Sequence, residues 1–238
     1  MSIATEIARL QQAKADIAEA IAKKGGEVSG TIDTYAQAIA DLPSGGGISE
    51  EYYNKLITGH LDEPIIFPEG ITKIERTKFY YLNDGNEEVC PLAEIPKSVT
   101  SIGSAAFRYA RIKKIIVRST SSSNSTYIFG NNIDLEEIIF NGLMSSGNMC
   151  QGCSNLKRVI YNNPKTSRIE GNSFNNCTSL ELIDLSKATQ VNSLSSTNAF
   201  SGVPLTCEIR VPSALYDTWI KATNWSTLYA QGYNFVAV

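Results

Sequence analysis

Charge is scarce in this chain. Asp, Glu, Lys and Arg make up only 19% of its 238 residues, and their balance leaves a net charge of -3. Phosphate recognition needs clustered Lys and Arg, so nucleic acid is not an expected partner. Long apolar runs are missing as well; the longest resemble Ile115-Ile116-Val117, far too short for a bilayer, and no membrane insertion is expected. Histidine occurs once, at His60, with no Cys near it, and a lone His is weak ground for general acid–base chemistry. No GxxxxGK, GxSxG or GxGxxG is present. The acidic pair Glu136-Glu137 belongs to a repeated strand pattern and gives no glycosidase dyad. The expectation is a non-enzyme with no catalytic residues, no cofactor and no metal. Five cysteines, an odd number, argue against a complete disulfide framework. Cys150-Gln-Gly-Cys153 has CxxC spacing, but no second pair or His completes a zinc site, so packing is its expected role. The N-terminal stretch carries Glu6, Arg9, Lys14, Asp16 and Glu19, which excludes a secretory signal there; the expectation is a protein made in a cytosol.

What the chain has in abundance is repetition. Ala106-Phe107 to Ile112-Lys-Lys-Ile115-Ile-Val117, Ser173-Phe174 to Leu180-Glu-Leu-Ile183-Asp-Leu185, and Ala199-Phe200 to Ile209-Arg-Val211 are copies of one unit. Pro68 to Ile74 matches Pro96 to Ile102, which places a first, enlarged rung ahead of Phe107, its loop at 83–88. Later rungs centre on Phe129, Cys150, Phe174 and Phe200. A period of this length predicts a solenoid of stacked rungs. Each rung holds a short strand with apolar residues at its first, fourth and sixth positions: Ile112, Ile115, Val117; Leu135, Ile138, Phe140; Leu156, Val159, Tyr161; Leu180, Ile183, Leu185. A second inward column is read as Ala110, Ile133, Cys153, Cys177 and Val203, and a third as Phe79, Phe107, Phe129, Phe174 and Phe200.

The outward strand positions alternate in sign: Lys113-Lys114, Glu136-Glu137, Lys157-Arg158, then Glu181. Stacked parallel strands would make these residues cross-strand neighbours, where opposite charges are favourable. Beside them run Ile116, Ile139 and Ile160, followed by Asp184 and Arg210. Three exposed isoleucines in a row would form a patch. They are the candidate partner-binding residues, with cover by the N-terminal region or a neighbouring protomer, or another register, as alternatives.

The solenoid is flanked on both sides. Ile3, Ile7, Leu10, Ile17 and Ile21 follow a heptad-like spacing and predict an amphipathic helix, ended by Gly25-Gly26. A second short helix is expected over 34–42. So small a hairpin cannot bury a core alone; it either packs on the rest of the chain or serves anchoring and self-association, with a trimer favoured although Lys14 interrupts the seam. Pro43-Ser-Gly-Gly-Gly47 reads as a flexible boundary. After Val211-Pro212, Ser213 is the expected N-cap of a helix bearing Tyr216, Trp219 and Ile220, with Trp219 and Trp225 packing over the last rung. The expected divisions are 1–43 (attachment and oligomerisation), 44–67 (linker and transition), 68–211 (solenoid) and 212–238 (cap).

Asn176-Cys177-Thr-Ser-Leu180-Glu-Leu-Ile183-Asp-Leu185, with the paired Ala-Phe, resembles the BspA-like leucine-rich repeats. That resemblance covers roughly residues 68–238. It implies an α+β fold: a leucine-rich-repeat solenoid of short parallel strands with a C-terminal helical cap and an N-terminal helical hairpin. It also implies adhesion to proteins or cell surfaces. Cys150 departs from it, standing where other rungs have Phe. Leu10 to Gly25 and Thr31 to Ile39 are similar to the leading modules of tailed-phage fibre and tail proteins. Together the two resemblances imply a bacteriophage virion protein, mounted on other virion proteins through its N-terminal helices, commonly as a homotrimer. Its solenoid would meet a host surface protein or glycan or a neighbouring virion protein. The alternative is a bacterial BspA-like surface adhesin or protein-binding module.

Overall fold

The computed structural model describes residues 15, 17–19, 21–22, 50, 53–54, 64–67, 70–82, 88–121, 125–165 and 168–238. The expected N-terminal hairpin falls largely outside them, including Ile3, Ile7, Leu10, the helix over 34–42 and the glycine boundary. His60 and the loop at 83–87 lie outside as well. Ile17 and Ile21 are described and helical; Ile17 is 40% exposed and Ile21 is buried.

Among the described residues, ten short strands alternate with turns. They are β1 (Ile65–Ile66), β2 (Lys73–Ile74), β3 (Ala93–Ile95), β4 (Ser101–Ile102) and β5 (Lys114–Val117), then β6 (Glu137–Phe140), β7 (Arg158–Tyr161), β8 (Leu182–Asp184), β9 (Glu208–Val211) and β10 (Asn234–Ala237). Eight form one sheet in the order β1-β3-β5-β6-β7-β8-β9-β10, every pair parallel, while β2 and β4 pair separately. The order follows the chain because each rung closes one turn of a coil before the next begins. β1 lies within the segment read as transition, and Phe67 after it is buried in the core.

Register follows the expected columns. Ile115, Ile138, Val159, Ile183 and Ile209 are Cα partners from β5 to β9, and all are fully buried. On the far side of the coil, Phe79, Phe107, Phe129, Phe174 and Phe200 are buried in a second column; the Phe79 and Phe107 rings stack at 5.0 Å. Cys150 takes the Phe place in its rung. The lost volume is made up across the core, where Phe140 and Tyr161 stack at 4.8 Å in the column that elsewhere holds Val117, Leu185 and Val211.

The column read through Ile133 is different. Ile133 is 55% exposed, and Asn132 is the buried residue. The N–H groups of Ala110, Asn132, Cys153, Cys177 and Val203 each donate to the carbonyl of the residue three places earlier, so these five are equivalent. The reason is spacing. Asn132, Cys153 and Cys177 stand three residues before Leu135, Leu156 and Leu180, whose N–H groups bond back to them. Ala110 stands only two before Ile112. The Ile112 N–H therefore lacks that local acceptor, and Asn132 Oδ1 of the next rung supplies one at 3.1 Å. An amide is buried where the pattern called for an apolar residue because it completes a neighbour's backbone.

The turns opposite the sheet have their own recurrence. Residues four apart adopt positive φ in successive rungs: Thr77 and Tyr81, Ala105 and Tyr109, Tyr127 and Asn131, Asn148 and Gly152, Asn172 and Asn176. Each pair brackets the buried Phe or Cys, and the bracketed backbone bonds to the next rung, as in Phe107 N–H to Ile128 O (2.8 Å) and Tyr109 N–H to Gly130 O (3.0 Å). The left-handed conformation turns these N–H groups along the solenoid axis. Asn and Gly tolerate it at little cost, which accounts for part of the chain's wealth of Asn.

The C-terminal segment is shorter in helix than expected. A 3-10 turn (Ser213–Leu215), α1 (Tyr216–Trp219) and α2 (Trp225–Ala230) lead through Gly232, at φ +91, into β10, which pairs in parallel with β9. Ser213 is the first residue of its turn, and no side chain caps it. Trp219 and Trp225 are fully buried, with Trp225 5.8 Å from Phe200 and its Nε1–H donating to Asn192 O at 2.6 Å. The tryptophans thus extend the Phe column at the last rung.

Candidate partner-binding surface

The outward face of the sheet is built from alternate strand positions, since successive side chains point to opposite sides. β5, β6 and β9 share one burial pattern, outward residues half-buried and inward ones fully buried. Along one outward line lie Lys114, Glu137, Arg158, Leu182 and Glu208, Cα partners in succession. Glu137 Oε2 pairs with Lys114 Nζ at 2.6 Å and its Oε1 with Arg158 Nη2 at 2.6 Å. Lys157 and Glu136 pair at 3.1 Å one position earlier. The alternation read from the sequence is a ladder in which one carboxylate, 16% exposed, holds two cations. Neutralised this way, the strip offers little net charge to a partner.

The next outward line runs Glu94, Ile116, Ile139, Ile160, Asp184, Arg210 and Val236, again in direct register. Ile116, Ile139 and Ile160 are brought side by side, each half-buried and facing out. Glu94 bounds the stripe at one end, ion-paired with Arg118. Asp184 and Arg210 bound it at the other, where Arg210 pairs with Glu208 at 2.7 Å. Two shallow depressions flank the isoleucines. One, of about 540 Å³, lies over Lys114, Glu137 and Arg158; the other, of about 550 Å³, is lined by Ile160, Leu182, Asp184, Thr206 and Arg210 among others. An apolar strip rimmed by paired charges suits extended protein contact better than enclosure of a small molecule.

The cysteines lie in the interior. All five are reduced and buried. Cys153 Sγ–H donates to Phe129 O at 3.1 Å and Cys177 Sγ–H to Cys150 O at 3.2 Å, so each thiol satisfies a carbonyl of the rung before. The Cys153 hydrogen bond and burial push the Cys150 thiol well up, and burial does the same for Cys177. Cys207 is pushed up to about 12, chiefly by burial. Such thiols stay protonated and unreactive at neutral pH. Among the described residues no group of three or more His, Cys, Asp or Glu could hold a metal ion, and no helix is long and apolar enough to cross a membrane.

Sequence reasoning passed over one surface. On the turn side, Arg108 lies over the Tyr109 and Tyr127 rings, and Tyr80 and Tyr81 pack against Tyr109. The available signal was positional: aromatics one or two residues after Phe79, a Tyr two after Phe107, and another two before Phe129.

The family model described as BspA type Leucine rich repeat region matches residues 58–181 and 87–206, in six copies. No curated protein and no solved structure matches the chain.

Proposed function

The chain belongs to the BspA-type leucine-rich-repeat family, and from that premise we propose that it is a non-enzymatic protein-binding or adhesion module whose sheet face makes the contact. The observation that carries this reading is the register of Ile116, Ile139 and Ile160, three apolar side chains presented together on a face whose other outward residues are mostly charged. A long flat strip of this kind offers apolar area to a partner, and the flanking ion pairs form its polar rim. Ile139 at the centre is the expected energetic focus.

The mount is the N-terminal segment, residues 1–43, by its resemblance to the leading modules of tailed-phage proteins. On this reading the protein is a virion component, a trimer held by Ile3, Ile7, Leu10, Ile17 and Ile21, with the solenoid turned toward a host surface protein or glycan or a neighbouring virion protein. The repeats are equally consistent with a bacterial surface adhesin.

Binding of the labelled chain to intact bacteria and to isolated envelope proteins, wild type against Ile139→Arg, tests the contact surface. The variant should keep its melting temperature and lose binding; equal binding by both would remove the sheet face from consideration. Immunogold labelling of phage particles tests the virion reading. Native mass of the full chain against a chain starting at Ile48 tests the anchoring role, which an unchanged monomer in both would rule out.

A further inference from the structure

We propose that the tyrosine cluster around Arg108, on the turn side away from the sheet face, binds a saccharide bearing a carboxylate. The cluster spans three rungs. The Tyr81 and Tyr109 rings stack at 4.9 Å, with Tyr80 edge-on to both at 4.4 and 5.4 Å. The Arg108 guanidinium lies over the Tyr109 ring at 4.9 Å and the Tyr127 ring at 4.4 Å. Tyr81 is 49% exposed. Gly130 leaves room for the Tyr127 ring, since a Cβ there would meet it at 3.2 Å and push it aside slightly.

Two independent observations set this cluster apart from ordinary packing. The first is backbone conformation. Tyr81, Tyr109 and Tyr127 have φ of 58, 59 and 57°. Bulky side chains are disfavoured there, and the same positions in later rungs hold Asn131, Gly152, Asn176, Asn148 and Asn172. The fold accepts Asn or Gly at these places, so the tyrosines carry a local cost that the coil does not require. Strain of this kind gathers where a surface is used.

The second observation is charge. Arg108 is the one charged residue in segments 103–110, 125–132, 146–153, 171–177 and 197–203, whereas the equivalent first-rung segment, 75–82, carries Glu75, Arg76 and Lys78. Among the described residues no carboxylate pairs with it. Its Nε is buried without a hydrogen-bond partner, and its Nη2 donates to the Tyr109 hydroxyl at 3.3 Å. An unneutralised guanidinium held between aromatic rings fits a carboxylate delivered by a ligand. The exposed Tyr81 ring offers apolar area to the C–H face of a pyranose ring. Asn131, in line with Tyr109 on the next rung, supplies a neutral amide for sugar hydroxyls; Gln151, in line with Arg108 one rung further, has its Oε1 buried without a hydrogen-bond partner. Aliphatic anchors, which a protein contact would use beside Tyr and Arg, are absent from the cluster.

The full chain is first passed over an array of sialylated, glucuronate- and galacturonate-bearing oligosaccharides, their methyl esters, and neutral counterparts. The best acidic sugar is then titrated calorimetrically into wild type, Arg108→Gln, Tyr109→Asn and Ile139→Arg. Acidic sugars should be retained, and esters and neutral sugars not. Arg108→Gln should weaken binding by about tenfold or more at an unchanged melting temperature. Tyr109→Asn should weaken it while holding or raising the melting temperature, since Asn relieves the strained position. Ile139→Arg should bind as wild type, which separates this site from the sheet-face contact. Retention of no acidic sugar, equal retention of neutral ones, or indifference to Arg108→Gln would overturn the proposal. So would displacement by poly-glutamate as effective as by the sugar, which would mark an acidic-peptide surface instead.

Discussion

Asn132 Oδ1 accepts a hydrogen bond from the Ile112 backbone N–H at 3.1 Å, linking two rungs through a buried side chain. The bond stands in for the turn contact that Leu135, Leu156 and Leu180 make within their own rungs. Asn132→Val, which copies the apolar character of the column, leaves that N–H buried without a partner. It should cost about 1–3 kcal/mol, read from urea midpoints at constant m. A neutral result would show that the short rung relaxes to restore its own turn bond.

Phe174 is fully buried in the ring column, 5.9 Å from Phe200. Phe174→Ala should destabilise by about 3–5 kcal/mol through the cavity left between rungs. A denaturation midpoint within about 0.5 kcal/mol of wild type would contradict the stacked column.

The Cys150 rung makes the converse test. Phe140 and Tyr161 put two stacked, buried rings in the column that elsewhere holds Val117, Leu185 and Val211. Restoring the pattern with Cys150→Phe should therefore lower stability by about 1–3 kcal/mol. Combining it with Tyr161→Val should recover part of the loss, as expected for neighbours sharing one volume; additive losses in the double variant would refute the compensation.

Glu137→Lys places a third cation between Lys114 and Arg158, whose partner it removes. Half-exposed pairs are screened, so the expected loss is only about 1–2 kcal/mol, shrinking as salt rises. Melting curves from low to molar salt decide this; a loss independent of salt would assign the effect to packing.

Alkaline pH should weaken the fold. Burial raises the Cys207 thiol from its ordinary 9.0 to about 12. The unfolded chain therefore releases this proton first as pH rises. The contribution is fully present below pH 9.0 and is lost progressively toward about 12. The slope is at most about 1.4 kcal/mol per pH unit for a thiol. Stability measured from pH 8 upward should fall, and Cys207→Ala should flatten that fall relative to wild type; parallel curves would point to other groups.

Periodicity is a local property, and the sequence displays it directly. The ring column, the inward strand positions and the order of the parallel strands follow from a unit repeated along the chain, because each rung must bury the same face against the next. The sign alternation of Lys114, Glu137 and Arg158 was legible for the same reason. What escaped was whatever crosses rungs or depends on backbone handedness. Ile133 was placed inside because the spacing could not reveal that Ala110 sits one residue closer to its strand. Ser213 offered a cap, but the turn at Pro212 starts at Ser213 itself. The paired left-handed residues were hidden because Thr77, Ala105 and three tyrosines occupy places that Asn and Gly fill elsewhere. Tyr81, Arg108 and Tyr127 are separated by a rung each along the chain. Only the coil, by stacking those rungs at strand spacing, turns four unremarkable tyrosines and one arginine into a single surface.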